Sequence, residues 1–330
     1  MGDEDLIQAC QIENILYASV IGDALGVPVE FEKRDSYYIN SMIGVGAWGR
    51  PAGSWSDDTS FSLPLMENLI ENGDYDQLMQ KFENYMFHNE YTPDDEAFGI
   101  GNTCAKAVRN WSVNHYPALE CGDPSVYANG NGALMRLAPL AIHLVDEDSL
   151  DKRLQLTRDY TCLTHRHPRA ILASYIYLEI IHSLLNGRSL LTALKILPEK
   201  LEGTLKDQPE VWNELKYFEP IFETDFAATL RCEIKSSGYV VDTLLASIWC
   251  ALNATSIDQA IILAVNLGDD TDTLASITGT LASCVNLSDQ VSKTWKGQLR
   301  NLKLLNSIIE PFAKMESKKI EECHSSSVPN

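Results

Sequence analysis

The sequence predicts an all-α protein, a single-domain multi-helix bundle. Apolar stripes at helical spacing recur along the chain, and strand-like alternation between turn signals is nearly missing. No Pro-, Ser- or Gly-rich stretch is long enough to divide the 330 residues into separate domains.

The clearest stripe lies in 169–185, where Ala170, Ala173, Tyr177, Ile180, Ile181 and Leu184 share one face. Similar stripes predict helices over 6–21 (Leu6, Ala9, Ile12, Leu16, Val20), 241–252 (Leu244, Leu245, Ile248, Ala251) and 258–267 (Ile261, Ile262, Val265). Between them, long loops are expected at about 26–56, 88–103, 111–132 and 202–210, and loops of such length often carry function. The domain is expected to span 1–315. The charged run that follows and the terminal CHSSSVPN show no sustained apolar stripe, so 316–330 is expected to be a disordered tail.

Composition narrows the function. A net charge of −20, with no Lys/Arg cluster interleaved with aromatics, repels phosphate backbones and argues against nucleic acid as a partner. The N-terminus has no basic region followed by an apolar run, and no apolar stretch is expected to reach the roughly 20 residues that span a bilayer. The expectation is a cytoplasmic monomer that does not engage membranes. Eight cysteines are scattered without CxxC pairs, which argues against a zinc site or a disulfide framework.

Two acidic clusters stand where helical patterns begin: Ser56-Asp57-Asp58-Thr59 and Asp269-Asp270-Thr271-Asp272-Thr273. Either alone is equally well read as a helix N-cap. A cap needs one side-chain oxygen, whereas these stretches offer several carboxylates flanked by hydroxyls, an oxygen-only set suited to Mg²⁺ or Mn²⁺. If both helix starts meet, they could hold two cations about 3.5–4 Å apart, an arrangement that activates water.

Other segments are weaker on their own. Gly130-Asn131-Gly132 is followed by an apolar run from Leu134, so a glycine loop entering a helix could cradle a phosphate, with a plain turn as the alternative. Gly22-Asp23-Ala24-Leu25-Gly26 ends a helix and leads to Glu30 and Phe31, where a carboxylate could face a cleft or simply solvent. His165 precedes the strong helix and could bond a ligand oxygen or serve as a local cap.

Taken in order, GDALGVPVEF, GSWSDDTS, GNGALMR, THRHP, GYVVDTL and GDDTDTLASITGTLA resemble the ADP-ribosylglycohydrolase family, which includes the dinitrogenase reductase-activating glycohydrolases. The resemblance spans about 22–282. It implies an all-α orthogonal bundle and a metal-dependent hydrolase that removes ADP-ribose from an acceptor, either a protein side chain such as arginine or a small molecule. Carried over by position, Ser56, Asp57, Asp58, Asp270, Asp272 and Thr273 would hold two divalent cations, Mg²⁺ or Mn²⁺. Glu30 and Asp57 would serve catalysis, and Gly130, Asn131, Gly132 and His165 would bind ADP-ribose.

The chain departs from the family pattern at Asp269, where many members have glycine, and at Gly99, where members often carry an aspartate near the ribose. Pro64 falls where the helix after SDDT is expected, and should lie in its first turn or kink it. Gly99 motivates a second reading, a catalytically weak member that binds ADP-ribose or a partner protein, as an immunity protein would.

Overall fold

The computed structural model describes residues 7–327. Their helices run α1 Ala9–Gly26, α2 Asp57–Ile70, α3 Tyr75–His88, α4 Asn102–Ser112, α5 Ala138–His143, α6 Leu150–Cys162 and α7 Pro168–Leu185. They continue as α8 Leu190–Leu205, α9 Pro209–Trp212, α10 Val240–Asn253, α11 Ile257–Val265, α12 Thr271–Val285, α13 Lys293–Gln298 and α14 Leu302–Ser327. Among the described residues there is no strand, only three isolated bridges. The all-α expectation holds, and the helices predicted at 169–185, 241–252 and 258–267 correspond to α7, α10 and α11.

Helix α1 is the axis of the bundle. Its apolar residues are buried around the full circumference, including Ile12, Ile15, Leu16, Val20 and Ile21, so they do not keep to a single stripe, and most of its polar residues, Gln11, Glu13 and Asn14, gather near its start. This corrects one expectation: Ala9–Val29 is long and apolar enough to cross a membrane by length and composition. In the fold, 89% of that window is buried against other helices, as befits a core helix. Leu6, included in the predicted stripe, lies outside the described residues.

The partner of α1 is α12, and the two meet backbone to backbone. A Cβ built on Gly22 would lie 2.2 Å from the Ala275 carbonyl oxygen, and one on Gly26 would lie 2.3 Å from Asp272 Cα. From the other side, a Cβ on Gly279 would lie 2.4 Å from the Ala18 carbonyl oxygen. Only hydrogen fits at these three positions, and the crossing brings Asp23 of α1 beside Asp272 at the start of α12.

Two boundaries differ from expectation. The loop expected at 202–210 is largely helical, since α8 runs to Leu205 and α9 begins at Pro209. The tail expected from 316 is helical through Ser327, while 328–330 lie outside the described residues. The buried face of α14 continues from Leu305, Ile309 and Phe312 through Glu316 to Ile320. Its stripe passes through a fully buried carboxylate, which bonds His143 Nδ1 at 2.6 Å, so hydropathy alone loses the helix there. Pro64 lies in the interior of α2 rather than in its first turn, and the helix continues past it to Ile70.

Replacing Gly22 with alanine should force α1 and α12 apart. We expect a loss of about 1–3 kcal/mol, the range for an overpacked core, read by denaturant unfolding; Gly203→Ala, on an open face with nothing within 4 Å, is the control.

Candidate active site

The two acidic clusters converge. Helix α2 begins at Asp57, capped by the Ser56 side chain, and α12 begins at Thr271. The Thr273 hydroxyl donates to Asp58 Oδ2 at 3.1 Å, and the Ser56 hydroxyl donates to the same oxygen at 3.1 Å. Carboxylate oxygens of Asp23, Asp58 and Asp272 lie within 4.8 Å of one another, as do those of Glu30, Asp270 and Asp272. Both groups include Asp272, so the two helix starts and the end of α1 share one acidic centre.

Asp23 is the site residue that the sequence reading passed over. From the last turns of α1 it accepts the Ser56 N–H at 2.8 Å, the Thr59 N–H at 3.1 Å and the Thr59 hydroxyl at 2.6 Å. It therefore caps α2 across the helix interface, satisfying N–H groups that a helix start leaves unpaired. The available signal was an aspartate inside the apolar C-terminal half of the helix, where burial demands partners.

None of Asp23, Glu30, Asp57, Asp58, Asp270 and Asp272 joins an ion pair among the described residues. Burial raises the Asp23 carboxyl to about 6, against its hydrogen bonds, and raises Glu30 to about 7. Asp57, Asp58 and Asp272 are pushed well up by burial first and then by neighbouring carboxylates. Asp270 is raised by burial, opposed by its bond from Asn131. Asp58 Oδ1 is buried and has no hydrogen-bond partner. Such an atom costs free energy unless something positive occupies the space before it. An oxygen-only donor set with an orphaned carboxylate oxygen fits a hard divalent cation.

Beside the centre lies a cleft of about 280 Å³ lined by Glu30, Asp57, Asp270, Asp272 and Thr273. Gly130, Asn131, Gly132 and His165 line it too, so every segment singled out in the sequence reaches one place. The glycine loop differs from expectation in its continuation. It enters a 3-10 turn, Leu134–Arg136, not an α-helix, so no helix start stands behind it to bind phosphate. Tertiary bonds hold it instead. The Asn131 N–H donates to the Gly238 carbonyl at 3.1 Å, and the Arg136 guanidinium, itself buried, donates to the Gly132 carbonyl at 2.5 Å. The Asn131 amide donates to Asp270 Oδ2 at 2.6 Å and to the Thr243 hydroxyl at 3.0 Å. Asn131 thus positions Asp270 as well as facing the cleft.

His165 is fully buried, with Nδ1 2.9 Å from the Thr164 hydroxyl. Burial, reinforced by Arg136, lowers its pKa to about 3, so it is a neutral imidazole against Gly130 and Gly132. Glu30 emerges from the short 3-10 turn Val27–Val29 and accepts a hydrogen bond from the Trp48 indole N–H.

The two departures from the family pattern acquire physical reasons. Gly99 has φ +83°, and a Cβ there would lie 2.8 Å from Asp57 Oδ1, so in this chain a side chain would crowd that carboxylate. Asp269 has φ +68°, a conformation that suits glycine and that aspartate tolerates better than most residues. Its side chain is exposed and faces a neighbouring cleft with Glu32 and Lys33. Its backbone accepts the Phe31 N–H at 2.7 Å and donates to the Glu32 carbonyl at 2.9 Å, tying the Glu30 loop to the start of α12.

An all-helical bundle with a buried acidic centre beside a cleft defines a class of hydrolase, and comparison with known proteins identifies it. The chain matches the ADP-ribosylglycohydrolase family over residues 8–322 and belongs to that family. It is 31% identical over 299 residues to the ADP-ribosylarginine hydrolase Tri1 of Serratia proteamaculans, covering 89% of this chain and 76% of the relative. It is 26% identical over 284 residues to the ADP-ribosyl-[dinitrogen reductase] glycohydrolase of Rhodospirillum rubrum, covering 84% and 86%. Human ADP-ribosylhydrolase ARH3 is 24% identical over 272 residues, 73% of each chain. A solved structure described as an ADP-ribosylglycohydrolase-related protein complex superposes with a TM-score of 0.75 at 24% identity, over 93% of this chain and 98% of that one, and shows the same fold. The chain is therefore a glycosidic-bond hydrolase that removes ADP-ribose from a modified acceptor.

Because burial raises these carboxyl pKa values, the folded metal-free protein retains protons that the unfolded chain releases above about pH 4. Metal-free stability should fall as pH rises from there through the folded-state values, about 6 for Asp23 and about 7 for Glu30. Thermal unfolding in chelator and in Mn²⁺ checks this: the gain in Tm from Mn²⁺ should widen between about pH 5 and about pH 8. A gain that shrinks over that range would contradict the cation-compensated cluster.

Proposed function

We propose that this hydrolase releases ADP-ribose from modified arginine side chains of proteins, with two divalent cations, Mg²⁺ or Mn²⁺, held in the acidic centre. The observation that carries the metal assignment is the convergence of five carboxylates, buried Asp23, Asp58 and Asp272 with half-buried Glu30 and Asp270, without a side-chain counter-charge, one oxygen of Asp58 being unpartnered. The arginine acceptor is supported by two bacterial relatives named ADP-ribosylarginine hydrolase Tri1, at 31% identity in Serratia proteamaculans and 32% in Pseudomonas putida.

In this reading, Ser56, Asp57 and Asp58 from α2, with Asp270, Asp272 and Thr273 from α12, are the cation ligands. Cations bound there would orient ribose hydroxyls and acidify a water. The remaining roles fall to the chain's own groups. Asp23 fixes the start of α2, and Asn131 aims Asp270. The backbone of Gly130 and Gly132 allows close approach of the ADP-ribose, with neutral His165 behind it as a hydrogen-bonding partner.

Hydrolysis places the water hydroxyl on the anomeric carbon and a proton on the departing acceptor nitrogen. Glu30, raised to about 7 and held by the Trp48 indole, can exchange a proton near neutrality, as a general acid or base requires. The cleft wall at Gly99 carries no carboxylate, and Glu30 is the cleft carboxylate not assigned to a cation in this reading.

The test is release of ADP-ribose from ADP-ribosylarginine protein, with and without Mg²⁺ or Mn²⁺. Metal-dependent release is expected from the wild type. Asp57→Ala and Asp272→Ala should each reduce it by more than about 100-fold, beyond the usual effect of outer-shell partners. Tight ADP-ribose binding with no release from any modified acceptor would replace this reading with that of a binding protein.

A further inference from the structure

We infer that the exposed Phe31 ring beside Glu30, backed by a rail of Trp48 and the buried Phe98, is the acceptor subsite and takes the guanidinium group of the modified arginine. The inference rests on the arginine reading above and adds the residues that select it.

The three rings form a continuous line. Phe31 and Trp48 have centroids 6.1 Å apart at 55°, and Trp48 and Phe98 have centroids 5.7 Å apart at 50°. The line borders the reaction centre at two points: Phe31 adjoins Glu30, whose carboxylate the Trp48 indole holds, and Phe98 adjoins Gly99, which lies against Asp57. Gly130 and Gly132 lie instead against His165. The rail thus runs beside the carboxylates rather than along the glycine loop proposed for ADP-ribose.

Phe31 is anomalous on two counts. The residue is 62% exposed, and its backbone has φ +68°, a conformation unfavourable for a bulky residue. A large aromatic held exposed on a strained backbone at the rim of a reaction centre points to an incoming ligand. On its outer side Phe31 shares a cleft with both carboxylates (Glu32, Asp242, Asp269) and cations (Lys33, Arg34, Lys235), whereas on its inner side it shares a cleft with the carboxylates of Glu30, Asp57, Asp270 and Asp272, and that side favours a cationic ligand.

The chain already demonstrates the chemistry. The Arg50 guanidinium stacks over the Phe98 ring, 4.3 Å from its centroid, with Glu96 bonded to its edge at 2.9 Å. At the other end of the rail, Phe31 and Glu30 line one cleft and bring an aromatic ring and a carboxylate to the same place. A planar cation satisfies both the ring and the carboxylate, whereas a serine or phosphate acceptor gains nothing from the ring.

The test measures kcat and KM on an ADP-ribosylarginine peptide, inhibition by agmatine as a free guanidinium, and ADP-ribose affinity by calorimetry, for wild type, Phe31→Ala and Phe31→Tyr. We expect Phe31→Ala to raise KM and the agmatine inhibition constant together by about three- to tenfold. Phe31→Tyr should restore both, with ADP-ribose affinity unchanged throughout. Unchanged KM and agmatine inhibition in Phe31→Ala would overturn the assignment, as would an equal loss of ADP-ribose affinity, which would give the ring to the nucleotide. A wild type inactive on the arginine peptide would overturn the acceptor reading itself, visible before any variant is made.

Discussion

The backbone contact between α1 and α12 is the constraint on which the rest of the structure depends. Gly22, Gly26 and Gly279 remove the side chains that would keep two apolar helices at ordinary separation. With that spacing gone, Asp23 near the end of one helix stands beside Asp272 at the start of the other. Asp23 then reaches across to cap α2, so a third element is registered against the first two by hydrogen bonds to a buried carboxylate. Three helix ends are fixed at one point, and the acidic centre is the product of that packing.

Such a centre is electrostatically unfavourable by itself. Carboxylates in a dry environment repel one another and resist ionisation, which is why burial and like charge dominate their upward shifts. The bundle tolerates this arrangement because its large apolar core, spread over α1, α2, α7, α10 and α12, holds the helices in place. Serine and threonine hydroxyls from Ser56, Thr59 and Thr273 supply hydrogen bonds without adding positive charge, leaving an oxygen-only site suited to hard cations.

The loops around this centre are held by tertiary bonds. Arg136 pins Gly132, Gly238 receives the Asn131 N–H, and Asp269 links Phe31 and Glu32 to the start of α12. The long segment from Glu30 to Ser56 is therefore a structured wall bearing Trp48, and its contacts with Glu30 and Phe98 set the character of the cleft rim.

Much was legible in the sequence because it was local. Helical periodicity marked α7, α10 and α11; the hydroxyl and carboxylate clusters marked the starts of α2 and α12; the glycine loop and His165 stood out by composition. Where local pattern failed, a tertiary partner was responsible. α14 passes through a buried Glu316 that pairs with His143 and Lys319, and the apolar residues of α1 are spread around its circumference because helices surround it. Gly99 has its reason in the nearness of Asp57, and Asp23 in the two N–H groups of α2. By itself the sequence determined several helices, the starts of α2 and α12 and an inventory of oxygen donors, since propensity, capping and side-chain chemistry act within a few residues. The tertiary structure alone decided that these oxygen donors meet, that Asp23 joins them and that Phe31, Trp48 and Phe98 align, because each requires contact between segments far apart in the chain.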